Sequence, residues 1–150
     1  MIVLDTNVLS ELMRPTPEPR VLEWVDSVPV RHIAITAVTV AEILYGIGRM
    51  PNGRRRRELR SAAEVMFDQD FHDRILGFDA EAAVEYAAVV IAKEASGRPI
   101  SMADAQIAAV CRVHQCTLAT RNESNFEGTG VKTMNPWSHG ASEDEESFKE

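Results

Sequence analysis

A chain of 150 residues, 45% hydrophobic and 26% charged, is long enough for one continuous core and has the balance of a globular domain. No run approaches the ~18 apolar residues of a membrane span, and Met1 enters an apolar strand with no basic segment before it, so a membrane helix and a signal peptide are not expected and a cytoplasmic location is. The net charge of −7 argues against non-specific nucleic-acid binding by the whole surface, and two cysteines, Cys111 and Cys116, offer neither a disulfide framework nor a metal pair.

Ile2-Val-Leu4 is a short unbroken apolar run, the pattern of a strand buried on both faces. It stops at Asp5, and Thr6 to Met13 reads as a short helix. An acid at the carboxyl end of a central parallel strand stands where open α/β sheets place their ligands. Asp5 equally fits the plain role of a helix cap, and this stretch alone leaves both readings open. Arg14-Pro-Thr-Pro-Glu-Pro19 cannot be helical and separates the first helix from a second over about Arg20 to Ser27. There Leu22 and Val25 are expected to face inward, with Trp24 near the edge. His32 to Thr36 is a second strand. The helix from about Ala37 to Met50 carries Val40, Ile43, Leu44 and Ile47 on one face, and Pro51-Asn-Gly53 ends it. A further helix bears Arg54 to Arg57 and Arg60 and runs toward Met66. Arg74 to Phe78 is a third strand, Asp79 caps a helix over Ala80 to Ala95, and Ser101 opens another that ends near His114. Thr117 to Thr120 and Val131 to Met134 complete the strands, and Pro136-Trp137 closes the folded part. Strands alternating with helices predict an α/β fold, a parallel sheet of four to five strands flanked by helices on both faces. The last ten residues hold five acids against Lys149, a net of −4 that leaves −3 for residues 1–140. The tail, residues 139–150, is expected to be disordered and residues 1–138 to form a single domain.

In such a sheet each strand's carboxyl end and the start of the next helix share one edge. Asp5 ends a strand there, Glu42 lies early in the helix after the second strand, and Asp104 lies in the first turn of the helix leading to the fourth. Thr120, Arg121 and Asn122 leave that fourth strand. Capping explains each acid singly, since Thr39-Val-Ala-Glu42 and Ser101-Met-Ala-Asp104 both fit the capping box and the helix dipole favours acids at these positions. Convergence weakens that explanation, because clustered carboxylates without a counter-ion repel. Three hard oxygen donors without His or Cys suit Mg²⁺ or Mn²⁺ and not zinc.

Met1-Ile-Val-Leu-Asp-Thr-Asn-Val-Leu-Ser10, Thr39-Val-Ala-Glu-Ile43, Met102-Ala-Asp-Ala-Gln-Ile-Ala-Ala109 and Leu118-Ala-Thr-Arg-Asn122, four motifs in register, resemble the PIN-domain proteins, and among them the VapC toxins of the FitB-like branch. The resemblance runs from Met1 to Asn135-Pro-Trp137. It implies a Rossmann-like domain and a divalent-metal ribonuclease, the toxin of a bacterial toxin–antitoxin pair, silenced by a VapB-like antitoxin. The family's first three acids fall on Asp5, Glu42 and Asp104, and a supporting hydroxyl falls on Thr120. The fourth family position, often Asp, is Asn122 here, which puts a second metal in question. On this reading Asp5 and Asp104 bind Mg²⁺ directly while Glu42 binds through water or positions the attacking water. The substrate class is RNA, transfer or messenger, and promoter DNA is bound only through the antitoxin complex. A homodimer is expected, with Gly46 and Gly48 offering either a close helix approach or a fraying end.

Arg121 is the basic residue nearest the cleft. Arg54, Arg57 and Arg60 step along neighbouring turns and could hold RNA phosphates or an acidic partner segment, although consecutive arginines also suit a solvated helix. The alternative function is a catalytically weak PIN protein that acts only as the antitoxin's partner in a DNA-binding complex. A haloacid-dehalogenase-type phosphatase is disfavoured because Asn7 stands where its second Asp would be.

Overall fold

A computed structural model describes residues 1–140, and its organising feature is a five-stranded, all-parallel sheet in the order β3-β2-β1-β4-β5. The strands are β1 (Ile2–Leu4), β2 (Ile33–Thr36), β3 (Ile75–Leu76), β4 (Thr117–Ala119) and β5 (Thr133–Met134). The helices are α1 (Thr6–Leu12), α2 (Pro19–Ser27), α3 (Ala37–Gly48), α4 (Arg54–Val65), α5 (Ala80–Ala95) and α6 (Met102–His114). β1 occupies the middle, paired with β2 through Ile2–Ile33 and with β4 through Ile2–Thr117 and Leu4–Ala119. Its unbroken apolar run follows from this position, because both faces are covered.

Side chains alternate strictly between two cores, as strand geometry requires. Leu4, Ile33 and Ile35 point to the core under α1 to α4, with Val8, Leu9, Val21, Trp24, Ile43 and Ile47. Val3, Ala34 and Leu118 point the other way, to Val89 of α5 and Ala105, Ile107, Ala108 and Cys111 of α6. The alanine-rich face of α6 lets that helix lie close on the sheet, and Ala105, Ala108 and Ala109 are fully buried.

Two expectations need correcting. In α2 the buried residues are Val21 and Trp24, with Val25 half-buried, while Leu22 is 39% exposed. The inward stripe is therefore 21, 24, 25 and 28, the i, i+3, i+4, i+7 set. The capping box at Thr39 is also displaced. Thr36, the last residue of β2, caps α3 by accepting from Thr39 N at 3.2 Å, so Thr39 and Glu42 both lie inside the helix. β3 and β5 shrink to two residues each at the sheet edges, where pairing is one-sided. α4 runs on through a π-helical turn, Met66–Asp70, that seats Phe67 in the core. Asp79 caps α5 as expected, and both cysteines are buried and free, their thiols pushed up by burial. Among the described residues no helix is long and apolar enough to cross a membrane. His139 and Gly140 of the expected tail are described, and its acidic residues lie outside the described part.

Candidate functional site

The strand order reverses at β1, and the connections leaving β1 and its neighbours open a crevice at their carboxyl ends. Asp5 stands at this switch point, 4% exposed. One carboxylate oxygen, Oδ1, accepts from Thr6 N at 2.8 Å, which is the helix-cap role. The other, Oδ2, accepts from the Thr120 hydroxyl at 2.8 Å, and Asn7 Nδ2 approaches it at 3.4 Å. Asp5 is therefore both a cap and something more, because a cap needs only one of its oxygens. Burial pushes its carboxyl up to about 6. The Thr120 and Thr6 hydrogen bonds pull it back, and the charges of Asp104 and Glu42 push it up further. Among the described residues no cation acts on it.

Glu42 lies on the exposed side of α3, and its Oε1 accepts from the Thr6 hydroxyl at 2.7 Å. Thr6 Oγ1 is also 3.0 Å from Thr39 Oγ1, which receives a longer, 3.5 Å bond from the Thr36 hydroxyl. Glu42, when ionised, can only accept. The hydroxyls therefore form a directed series, from Thr36 to Thr39 to Thr6, that ends on the Glu42 carboxylate and holds it over the start of α1. Asp104 is the third residue of α6, half-buried, with its N–H on Ser101 Oγ at 3.2 Å. Burial raises its carboxyl, partly offset by the Ser101 hydroxyl. It shares the field of Asp5 without sharing a hydrogen bond.

The rim is closed by the exit of β4. Thr120 is fully buried and accepts from Asn122 N at 3.1 Å while donating to Asp5. Asn7 Oδ1 accepts from Arg121 N at 3.2 Å, which ties this exit to that of β1. The Arg121 guanidinium lies 5.0 Å from the Trp137 ring centroid, a cation–π contact at the edge of the crevice. The Asn122 side chain is exposed beside Thr120.

The basic residues of α4 are divided. Arg54 pairs with Glu58 at 2.7 Å and Arg60 with Glu64 at 2.8 Å along the helix surface. Arg57 and Arg60, with Arg56, line a hollow of about 460 Å³ that includes no residue of the acidic rim. A different arginine, Arg55, shares a groove with one of the acids, Glu42. The groove, of about 680 Å³, lies between α1, α3 and α4, with Thr6 and Glu42 at one end and Met13, Ile43, Ile47, Met50 and Leu59 along it. Gly46 lines this groove, and neither Gly46 nor Gly48 is approached closely by another part of the described chain.

Among the described residues no three His, Cys, Asp or Glu side chains form a ready-made metal cage. The donor chemistry nevertheless fits a hard divalent cation. Mg²⁺ is held by one or two carboxylates and keeps several waters, so it needs no closed cage. Asp5 supplies a buried carboxylate without a counter-ion, in the field of two further acids. Sequence reasoning missed Thr6, Thr36, Thr39, Asn7 and Arg55. The first four are polar residues at a strand's carboxyl end or in the first turn of the helix after it, which is the signal that would have found them.

The chain is thus a doubly wound α/β protein with three acids sharing one field at the switch point of its parallel sheet. Residues 2–131 match the PIN domain. The chain is 39% identical to the VapC ribonuclease Y4jK of Sinorhizobium fredii over 91% of its own length and 98% of that protein. It is also 39% identical to the toxin FitB of Neisseria gonorrhoeae, over 91% of this chain and 99% of that one. The structure of FitAcB from Neisseria gonorrhoeae superposes with a TM-score of 0.86 at 39% identity, covering 91% of this chain and 99% of that one. A DNA-bound VapBC from Salmonella typhimurium, 20% identical, shares the fold with a TM-score of 0.77 over 90% of this chain and 97% of that one. The chain belongs to the PIN-domain family.

Proposed function

We propose that this chain is a metal-dependent endoribonuclease and the toxin of a toxin–antitoxin pair. The observation that carries the reading is Asp5, a buried acid with no cation, set at the sheet's switch point in the field of Asp104 and Glu42. The names of its relatives, a VapC ribonuclease and the toxin FitB, support the same activity. Asp5 and Asp104 would hold the ion, Mg²⁺ with Mn²⁺ as a substitute. When bound, such an ion lowers the pKa of water and neutralises charge on a phosphate undergoing in-line displacement. Glu42, fixed by Thr6, orients the attacking water and receives its proton. Thr120 holds Asp5 in place, and Asn122 offers an amide oxygen where a further acid would favour a second ion. Arg121 stands ready for a substrate phosphate. The products are an RNA fragment with a 5′-phosphate and one with a 3′-hydroxyl, and the substrate is transfer or messenger RNA in the cytoplasm.

The partner is an antitoxin, as in the solved FitAB and VapBC complexes, and promoter DNA is reached through that complex. The groove from Glu42 along α1, α3 and α4, apolar along its length with Arg14 and Arg55 among its walls, suits an amphipathic antitoxin segment. A homodimer is supported by the outer face of α5, where Val84 and Ile91 are 72% and 66% exposed.

The test is to sequence RNA ends after brief induction of the wild type beside Asp5→Asn without antitoxin. New 5′-phosphate ends are expected for the wild type alone. Identical ends from both proteins overturn the role of Asp5. Absence of cleavage with every divalent ion, together with partner-dependent DNA binding, would favour a purely regulatory protein.

A further inference from the structure

A second hollow includes Asp104 in its lining and does not include Glu42. It is polar, about 290 Å³, and includes Lys93, Arg98, Ser101, Asp104, Ser124 and Asn125 in its lining. Lys93, near the end of α5, is only 3% exposed, yet among the described residues no carboxylate pairs with it. Its ammonium donates to the Glu127 carbonyl at 2.9 Å, which leaves two of its three N–H groups without a protein partner. A buried ammonium held by one neutral acceptor is an uncompensated charge. Arg98, at the same hollow, reaches the Glu127 carboxylate at 2.6 Å and is 64% exposed. The Ser124 and Asn125 side chains make no hydrogen bond within the described protein, and the free N–H groups at the start of α6 add positive potential. Cationic and neutral donors thus share this lining with the Asp104 carboxylate.

We propose that this hollow seats the RNA phosphate next to the one undergoing cleavage, held by Lys93 and Arg98 with Ser124 and Asn125 on the adjoining sugar or base. The inference rests on the nuclease reading and adds a substrate-positioning subsite to it. Asp104 marks the boundary between the two phosphate positions. Its charge repels a phosphate that is not neutralised by the ion, so the neighbouring phosphate is driven toward the lysine side. Glu127 then competes with RNA for Arg98.

RNA binding is measured with Asp5→Asn, free of divalent ion, on a fluorescent single-stranded oligoribonucleotide across a salt series. Adding Lys93→Met or Arg98→Gln should weaken binding about five- to tenfold near 0.1 M salt and flatten the log–log salt slope by about 0.7 each. Glu127→Gln should tighten binding several-fold, since it frees Arg98 while leaving the backbone carbonyl on Lys93. In the cleaving protein, Arg98→Gln should raise KM with kcat unchanged. A purely structural Lys93–Glu127 tether predicts a lower melting temperature for Lys93→Met and no change in RNA affinity for Arg98→Gln or Glu127→Gln. That pattern overturns the subsite while leaving the nuclease intact. Failure of Asp5→Asn itself to bind the oligoribonucleotide at any salt concentration overturns the subsite alone, since the nuclease reading is tested separately by the RNA ends of the wild type.

Discussion

Helix α1 carries a buried acid at each end, and the two are treated in opposite ways. Glu11, near the carboxyl end, accepts from Arg14 Nη1 at 3.0 Å and from the backbone N–H of Glu18 at 3.0 Å. Its carboxyl is held below the usual range, chiefly by the Arg14 hydrogen bond, and it pins the proline-rich turn between α1 and α2. Asp5, at the amino end, meets only hydroxyl, amide and peptide donors, and its carboxyl is pushed up to about 6. Burial is common to both, so burial alone does not set the direction in which each carboxyl moves. What separates them is the counter-ion: Glu11 has its own three residues away, and among the described residues Asp5 has none.

The sharpest test of that contrast is activity. Asp5→Asn should lower RNA cleavage on the order of a thousandfold or more, the several kcal/mol a metal site contributes to transition-state stabilisation. Glu11→Gln should cleave normally and lower only the unfolding midpoint. Equal losses of cleavage in the two variants would erase the distinction. Next in size is the response to ion. Mg²⁺ at about a hundred times its dissociation constant should stabilise the wild type and Glu11→Gln by about 2.7 kcal/mol and leave Asp5→Asn unmoved, read as thermal unfolding.

A pH series separates the two acids by sign. Asp5 has a folded pKa raised above its ordinary 3.8, so its contribution is full at low pH and is lost as pH rises through about 6. In chelator, wild-type stability should therefore fall on the order of 2–3 kcal/mol between about pH 4 and 6 and then level, a fall absent from Asp5→Asn. Glu11, lowered from 4.5, contributes above that pH and loses its contribution as the solution becomes more acidic. Matching profiles for wild type and Asp5→Asn would show that Asp5 is not desolvated. Thr6→Val removes the hydroxyl that holds Glu42 and should cut kcat about tenfold with a smaller change in KM, the usual cost of losing a supporting hydrogen bond. An unchanged kcat would release Glu42 from the mechanism.

The smallest effects belong to α4, where charge is dense but already answered. Arg54 and Glu58 are 87% and 63% exposed at the side chain, so their ion pair contributes only about 0.3–0.5 kcal/mol. Replacing Arg54, Arg57 and Arg60 together by Gln should leave kcat unchanged and, if they touch phosphates, flatten the salt dependence of RNA binding. A slope identical to wild type would confine them to the solvated surface.

The sheet was legible because β1 is an unbroken apolar run and β2 and β4 are apolar but for a terminal Thr, a pattern that strands covered on both faces sustain. Asp5, Glu42 and Asp104 were legible through the rule that puts strand ends and the following helix starts on one edge. What escaped was local and rotational. Leu22 is more apolar than its neighbours, yet the phase of α2 is set by Trp24, whose ring reaches the core while Leu22 faces out. The box at Thr39 misled because Thr36, three residues earlier, had the better geometry for the same task. Arg54, Arg57 and Arg60 were selected by spacing along one helix. Spacing carries no information about what packs opposite, and it is Arg55 that lines the groove shared with Glu42.

Asp5 is held by a residue 115 positions further along the chain. Its own N–H bonds to the carbonyl of Ala119, so the crevice does not exist until β4 has docked beside β1. A polypeptide still on the ribosome, short of Thr120, thus lacks the partners that hold Asp5. At about 5–20 residues per second, that phase lasts on the order of ten seconds. The Asp5 carboxylate emerges almost at once, yet its surroundings are complete only near the end of the chain's own synthesis. That delay gives a co-expressed guardian time to arrive.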